Sequence, residues 1–239
     1  MTRTAIVTGS ASGIGAATVA ELARRGYRTV GIDIAAEAVP QSSAEHLAIR
    51  ADVTDEARVI AAFDEALAFL GQLDVLVTSA GVGETTPFMD LTATTFRAVN
   101  EVNVIGTFVC IREAALRMQP GARICTVASV AGIRGGGLSG TAAYAASKGA
   151  VLALTKNAAR ALAPRGISVN TIAPGATLTP MIAEHWKNDA HRTRVESMSV
   201  LNRTALPHEM AAAIAFLVSP EASSITGSTL VADNGLVMY

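Results

Sequence analysis

Cysteine, aromatic residues and charge are all scarce in this chain. Its 239 residues include two cysteines, Cys110 and Cys125, and no CxxC pair. That excludes a disulfide framework and points to a reducing, cytoplasmic setting. Lys and Arg number 19 against 20 Asp and Glu, a formal net charge of −1. No strong field is therefore aimed at nucleic acid or an anionic membrane, and neither is an expected partner. Charged residues make up 16% of the chain, against about 25% in ordinary globular domains. One reading of that shortage is a surface partly covered by sister subunits. Long apolar runs are missing too: polar residues interrupt each one well short of the roughly 18–20 residues of a membrane span. Met1-Thr2-Arg3-Thr4 lacks a secretory pattern. What remains is a hydrophobic half of the composition, which excludes disorder. At this length roughly 70–75% of the unfolded surface can be buried.

Short β-rich apolar runs alternate with helical patterns from end to end. The runs are Ala5–Val7, Thr29–Ile32, His46–Ile49, Val75–Val77, Arg123–Val127, Ser168–Ile172 and Leu230–Val231. Between them the periodicity predicts helices over about Gly15–Arg25, Asp55–Leu70, Thr92–Met118, Ala142–Ala163 and Pro207–Val218. Nearly continuous apolar strands separated by helices describe a parallel sheet buried on both faces. Right-handed crossovers then give a single Rossmann-like, doubly wound α/β domain over 1–239. Its cofactor half is expected over about 1–125 and its catalytic, substrate half over about 126–239. Residues 177–202 break the rhythm and read as a mobile lid over a site.

Gly9-Ser10-Ala11-Ser12-Gly13-Ile14-Gly15 lies between the first strand and the first helix. Glycines there let backbone approach a pyrophosphate seated at the positive end of the helix dipole. Asp33 closes the second strand 18 residues after Gly15, close to the spacing of about 20 for a ribose-binding carboxylate. It would accept both ribose hydroxyls of NAD and repel the extra phosphate of NADP. Neither Ser10-Ala11-Ser12 nor Ile34-Ala35-Ala36 supplies an offsetting cation, so NAD is the expected cofactor. Asp52 after the third strand is a candidate for the adenine amino group, with Val53 beside the ring; the alternative is that Asp52 or Thr54 caps the next helix.

Tyr144 and Lys148 are i,i+4 neighbours on one helix face. A free phenol, with a pKa near 10, exchanges protons poorly at neutral pH. An ammonium within about 4–6 Å can lower that value by about 1–3 units, making the pair a proton donor and acceptor suited to neutral pH. Asn103, within the otherwise apolar Val102–Val109 stretch, is costly unless paired. It reads either as a functional amide or as a satisfied structural one. Ser129 falls at the carboxyl end of a strand, the ligand side of an open α/β sheet.

Together these residues resemble the short-chain dehydrogenase/reductases of the classical type. The likeness runs through the glycine-rich turn, Asp52, Asn103, Ser129, Tyr144 with Lys148, and Pro174-Gly175, in the family's order over essentially the whole chain. The resemblance implies an oxidoreductase acting on CH–OH groups, with Tyr144 as acid/base and Ser129 hydrogen-bonded to the substrate oxygen. It further implies Lys148 on the nicotinamide ribose and Asn103 supporting a proton-relay water. Cofactor contacts are implied for Gly9, Ser12, Gly13, Ile14, Gly15, Asp33, Asp52, Val53, Ala80, Gly81, Tyr144, Lys148, Pro174, Gly175, Thr177 and Thr179; no metal is expected. Two departures stand out. Thr78-Ser79-Ala80-Gly81 replaces the family's usual Asn-Asn-Ala-Gly, which puts hydrogen bonding at the sheet in question. The Ser129–Tyr144 interval is longer than usual, with the added length in Gly135–Gly137 and Ser139 as a weaker rival serine. The short second-to-third strand connection leaves an abbreviated helix there, or none.

Substrate-lining candidates are Gly83–Phe88, Ile133–Leu138, Met181, Ile182 and Trp186, mostly small or apolar. They suggest a neutral secondary alcohol or ketone, with Arg134 either a carboxylate anchor or a plain surface residue. Two alternatives are an NADPH-dependent 3-oxoacyl-[acyl-carrier-protein] reductase, disfavoured by Asp33, and a non-catalytic NAD-binding protein. The resemblance also implies a homotetramer or homodimer built on the two long helices and the C-terminal segment, 229–239.

Overall fold

A computed structural model describes residues 2–35, 45–136 and 141–238. Seven strands form one parallel sheet: β1 (Thr4–Thr8), β2 (Arg28–Asp33), β3 (His46–Arg50), β4 (Val75–Thr78), β5 (Arg123–Val127), β6 (Ser168–Pro174) and β7 (Thr229–Ala232). Their order across the sheet is β3-β2-β1-β4-β5-β6-β7, so strands are added to one side of β1 as far as β3 and to its other side from β4 onward. Crevices at such a switch point, beyond the carboxyl ends of the strands, are where open α/β sheets bind ligands. All seven strands predicted from the apolar runs are present, in parallel register.

Alternation along each strand builds two cores. Ile6, Val30, Ile32, Leu76, Ile124 and Val169 turn to one face. They meet α2 (Glu56–Leu70), α4 (Thr107–Arg117) and α6 (Ala142–Leu162) through Phe63, Ile111, Met118 and Ala158. Ala5, Val7, Val75, Val77, Cys125 and Ile172 turn to the other, against α1 (Gly13–Arg24) and α9 (Pro207–Leu217) through Leu22 and Ile214. Cys110 and Cys125 thus lie on opposite faces, both as free buried thiols. Burial pushes each thiol up to about 12, leaving them inert. Among the described residues no helix is long and apolar enough to cross a membrane.

The expected Thr92–Met118 helix is not continuous. It comprises α3 (Ala93–Asn100), a π-helical turn over Glu101–Gly106 and α4. The Asn103 carbonyl accepts the Thr107 hydroxyl at 2.8 Å within this widened turn, and apolar periodicity carries no sign of one added residue. Asp55, rather than Asp52 or Thr54, caps α2 by accepting the Arg58 amide at 3.0 Å. The remaining helices are α5 (Ala131–Arg134), α7 (Pro180–Trp186) and α8 (Asp189–Glu196). The last two fill the segment that interrupts the strand–helix rhythm. The connection between β2 and β3, where an abbreviated helix or none is expected, falls in residues 36–44, and Ser139 in 137–140; both lie outside the described residues.

One buried polar contact fixes α6 on the sheet. The Thr126 and Thr155 hydroxyls meet at 2.7 Å, and Thr155 also reaches the Val151 carbonyl at 2.9 Å. A lone buried hydroxyl costs about 1–3 kcal/mol, whereas removing both partners together can be nearly neutral. Thr155→Val is therefore expected to destabilise by about 1–3 kcal/mol in denaturant melts, and adding Thr126→Val to restore most of it. Equal or additive losses would contradict this contact's role.

Candidate active site

A cleft of about 730 Å³ opens along the carboxyl ends of the strands. Every catalytic or cofactor candidate lines it except Gly15 and Asn103. Of the substrate-lining candidates, Gly83, Glu84, Thr85, Met181, Ile182 and Trp186 line it, whereas residues 86–88 and 133–136 do not. Gly15 lies just beneath: a Cβ there would stand 2.0 Å from the Gly9 carbonyl oxygen, so any side chain would force the turn open. Gly9 has φ +69°, and its Cβ would fall 2.6 Å from the Ala80 amide nitrogen. The turn therefore sits flush on the loop after β4. Ser12 precedes α1 without capping it through its side chain, and the first turn holds no acidic residue. Uncapped amides at a helix start, facing a cleft, suit an anionic phosphate group.

Asp33 is set on the cleft wall by two backbone amides, Ala11 to Oδ2 at 3.0 Å and Ala35 to Oδ1 at 2.9 Å. Exposed Ile34 adjoins it as an apolar wall. Asp52 holds Thr54 through both the amide and the hydroxyl of that residue, at 2.9 and 2.8 Å. Uncapped amides, a close-packed glycine turn and a carboxylate at the end of β2 together fit a dinucleotide. Gly9, Ser12–Ile14, Asp33, Asp52 and Val53 would hold its adenosine and phosphate parts.

At the other end of the cleft, Ser129 follows β5 and accepts the Ala131 amide at 3.1 Å. Its hydroxyl is hydrogen-bonded to Tyr144. Lys148 is 5% exposed, its Nζ donating to the Val127 carbonyl at 2.9 Å and lying 5.8 Å from the centre of the Tyr144 ring. Burial lowers the lysine to about 8. Burial also raises Tyr144 above the usual phenol value, and the Ser129 hydrogen bond only partly opposes that. In the ligand-free chain burial thus acts on both groups, because desolvation disfavours both charged forms.

Asn103 is fully buried on the π turn. Its amide nitrogen donates to the Val82 carbonyl at 3.0 Å and Ser147 Oγ at 2.9 Å, while its oxygen accepts the Val82 amide at 2.8 Å. The side chain thus clamps the loop after β4 to α6, as the structural alternative had it. Thr78, one of the departures from Asn-Asn-Ala-Gly, has a buried hydroxyl without a partner. The Thr8 hydroxyl instead accepts the Ala80 amide at 3.3 Å, so Thr78 does not substitute for an amide. Arg134 is exposed and does not line the cleft. Across the opening, a Cβ on Gly83 would lie 3.2 Å from Met181, which brings α7 against the loop after β4. Trp186 is buried, donating to Thr204 Oγ1 at 2.8 Å.

The charged character of one lining residue went unremarked in the sequence. Glu84 sits in the Gly83–Phe88 stretch read as small or apolar, yet its carboxylate accepts from the Thr86 amide and the Thr141 hydroxyl. A single acid in an apolar loop was the available signal; its partner lies 57 residues away.

A family model described as enoyl-(acyl carrier protein) reductase matches residues 9–237. The chain is 40% identical to a cis-4-hydroxycyclohexanecarboxylate dehydrogenase of Sinomonas cyclohexanicum, over 98% of this chain and 96% of that one. It is 38% identical, with the same coverages, to a 2,5-dichloro-2,5-cyclohexadiene-1,4-diol dehydrogenase of Sphingobium indicum. A solved short-chain dehydrogenase/reductase of Brucella melitensis, designated glucose/ribitol dehydrogenase, superposes with a TM-score of 0.92 at 32% identity, over 99% of this chain and 97% of that one.

Lys148 has a consequence for folding. Between about 8 in the folded chain and the ordinary 10.5, the unfolded state binds the additional proton, so stability rises with pH across that window. A shift of this size corresponds to about 3 kcal/mol in total. Denaturant melts of the ligand-free protein from pH 8 to 10 are expected to show stability rising relative to Lys148→Met. A constant difference between the two would contradict a buried ammonium.

Proposed function

The chain belongs to the short-chain dehydrogenase/reductase family, and on that premise we propose that it is an NAD-dependent oxidoreductase interconverting a neutral secondary alcohol and its ketone. The observation that carries this reading is the convergence of Ser129, Tyr144 and Lys148 at the end of the cleft away from Asp33. When bound, the nicotinamide accepts or returns the hydride of the alcohol carbon. Ser129 holds the substrate oxygen. Tyr144 takes the hydroxyl proton as the alcohol is oxidised and gives it back in the reverse direction. Lys148 supplies positive charge beside that phenol and a donor to the ribose. Asn103 keeps the loop after β4 and α6 in register; a relay water at its backbone belongs to the same proposal.

NAD rather than NADP follows from Asp33. A like charge about 4 Å away, at an effective dielectric near 20, costs about 4 kcal/mol, and even a screened fraction favours NAD several-fold. Supporting the substrate class, two relatives bear names describing oxygen functions on six-membered rings. In this reading residues 177–202 act as a lid, with the cofactor half before it and the catalytic half around it. Exposed Ile105, Phe108 and Leu116 support assembly into a homodimer or homotetramer. A light-scattering mass of 24.5 kDa, that of one chain, would contradict it.

A panel of cyclic secondary alcohols and ketones, with an acyl thioester as rival, tests the proposal when run with NAD(H) and NADP(H). Turnover is expected with neutral alcohols and NAD. Tyr144→Phe should keep NAD affinity and lose about 10²–10⁴ in rate. Preference for NADPH and the thioester would overturn the cofactor and substrate reading, and undiminished turnover in Tyr144→Phe the acid/base role.

A further inference from the structure

We propose that Glu84 is a charge filter at the substrate end of the cleft, admitting neutral alcohols and ketones and turning away those that carry a carboxylate. This rests on the reading that the cleft takes an alcohol or ketone. Glu84 is 8% exposed, and what it exposes lines the cleft that Ser129, Tyr144 and Met181 also line. Burial alone would favour its neutral form, but hydrogen bonds from Thr141, Thr86 and Thr85 outweigh that and hold its pKa below the usual carboxylate value. At neutral pH the group is therefore an anion.

It is also an immobile one. Besides the hydroxyl's contact to its carboxylate, Thr141 donates its amide to the Glu84 carbonyl at 3.2 Å. Thr141 directly precedes α6 and stands three residues before Tyr144, about one helical turn or ~5 Å along the axis. A carboxylate offers roughly four lone-pair positions, and these threonines supply donors to both oxygens. What reaches the cleft is fixed charge more than a free acceptor.

Among the described residues, no cleft-lining side chain other than Lys148 carries a positive charge to offset a second anion. Lys148 itself is buried, holding the Val127 carbonyl and serving Tyr144 and the ribose in the proposed reaction. Arg134 is exposed and off the cleft, while 137–140 reads Gly-Leu-Ser-Gly, without a cation. A substrate carboxylate would thus be desolvated without a partner and face a like charge, a repulsive element that discriminates by itself. The relative named for a hydroxycyclohexanecarboxylate would differ from this chain in that respect.

The test uses the full chain saturated with NAD. Oxidation of cyclohexanol is compared with that of cis-4-hydroxycyclohexanecarboxylate, and binding of cyclohexanecarboxamide with that of cyclohexanecarboxylate by calorimetry. The neutral member of each pair is expected to be favoured about ten-fold or more. Glu84→Gln should narrow both ratios by improving the carboxylate member, and Glu84→Asp should keep them. A merely structural role would weaken both members equally in Glu84→Gln and leave the ratios unchanged, which overturns the filter. Equal handling of acid and neutral twin by the native chain overturns it too, as does failure of both to bind. Should neither alcohol be oxidised while amide still outbinds acid, the filter stands and the alcohol/ketone reading falls.

Discussion

The structure depends on an ammonium kept where water cannot reach it. Lys148 is nearly sealed between β5 and α6, its one hydrogen bond going to the Val127 carbonyl. That burial has a cost, visible in the lowered lysine pKa. Desolvation bears on Tyr144 as well, and raises it. In the ligand-free chain the pair is thus a neutral phenol beside a strained cation. The arrangement stores an electrostatic preference that a developing phenolate would satisfy.

The surrounding elements hold that pair in position. The Thr126–Thr155 contact anchors α6 to β5, and Ser129 is carried just past the end of the same strand. Asn103 ties α6 to the loop after β4 from within the π turn. Glu84 ties that loop to the start of α6 from the other side. The reacting tyrosine is therefore approached by two polar clamps that share one helix. π turns inside helices often mark functional positions, and here the turn lets a fully buried amide face a loop rather than the sheet.

Much of this was legible in the residues. Apolar runs such as Ala5–Val7 and Val75–Val77 are the inner strands themselves, because a parallel sheet covered on both faces needs nothing else. Glycines at 9 and 15 announced a turn with no room for side chains, and Asp33 stood at the expected distance. Contacts between distant segments were hidden. Helical periodicity is blind to one added residue, so the π turn passed as ordinary helix. Glu84 and Thr141 meet across 57 residues, and no local pattern joins them. The burial of Tyr144 was hidden as well, because spacing reveals an adjacent charge but not the loss of water around it. Asp55 as the α2 cap was obscured by two equally plausible polar neighbours.

The most direct test is the pH dependence of alcohol oxidation in the native enzyme and in Lys148→Met. The rising limb reports the proton leaving Tyr144 in the working complex. If the buried ammonium governs that proton, the limb moves to higher pH when the charge is removed. A limb that stays in place, with only the maximal rate reduced, would mean that Lys148 serves to position and leaves the acidity of the phenol untouched.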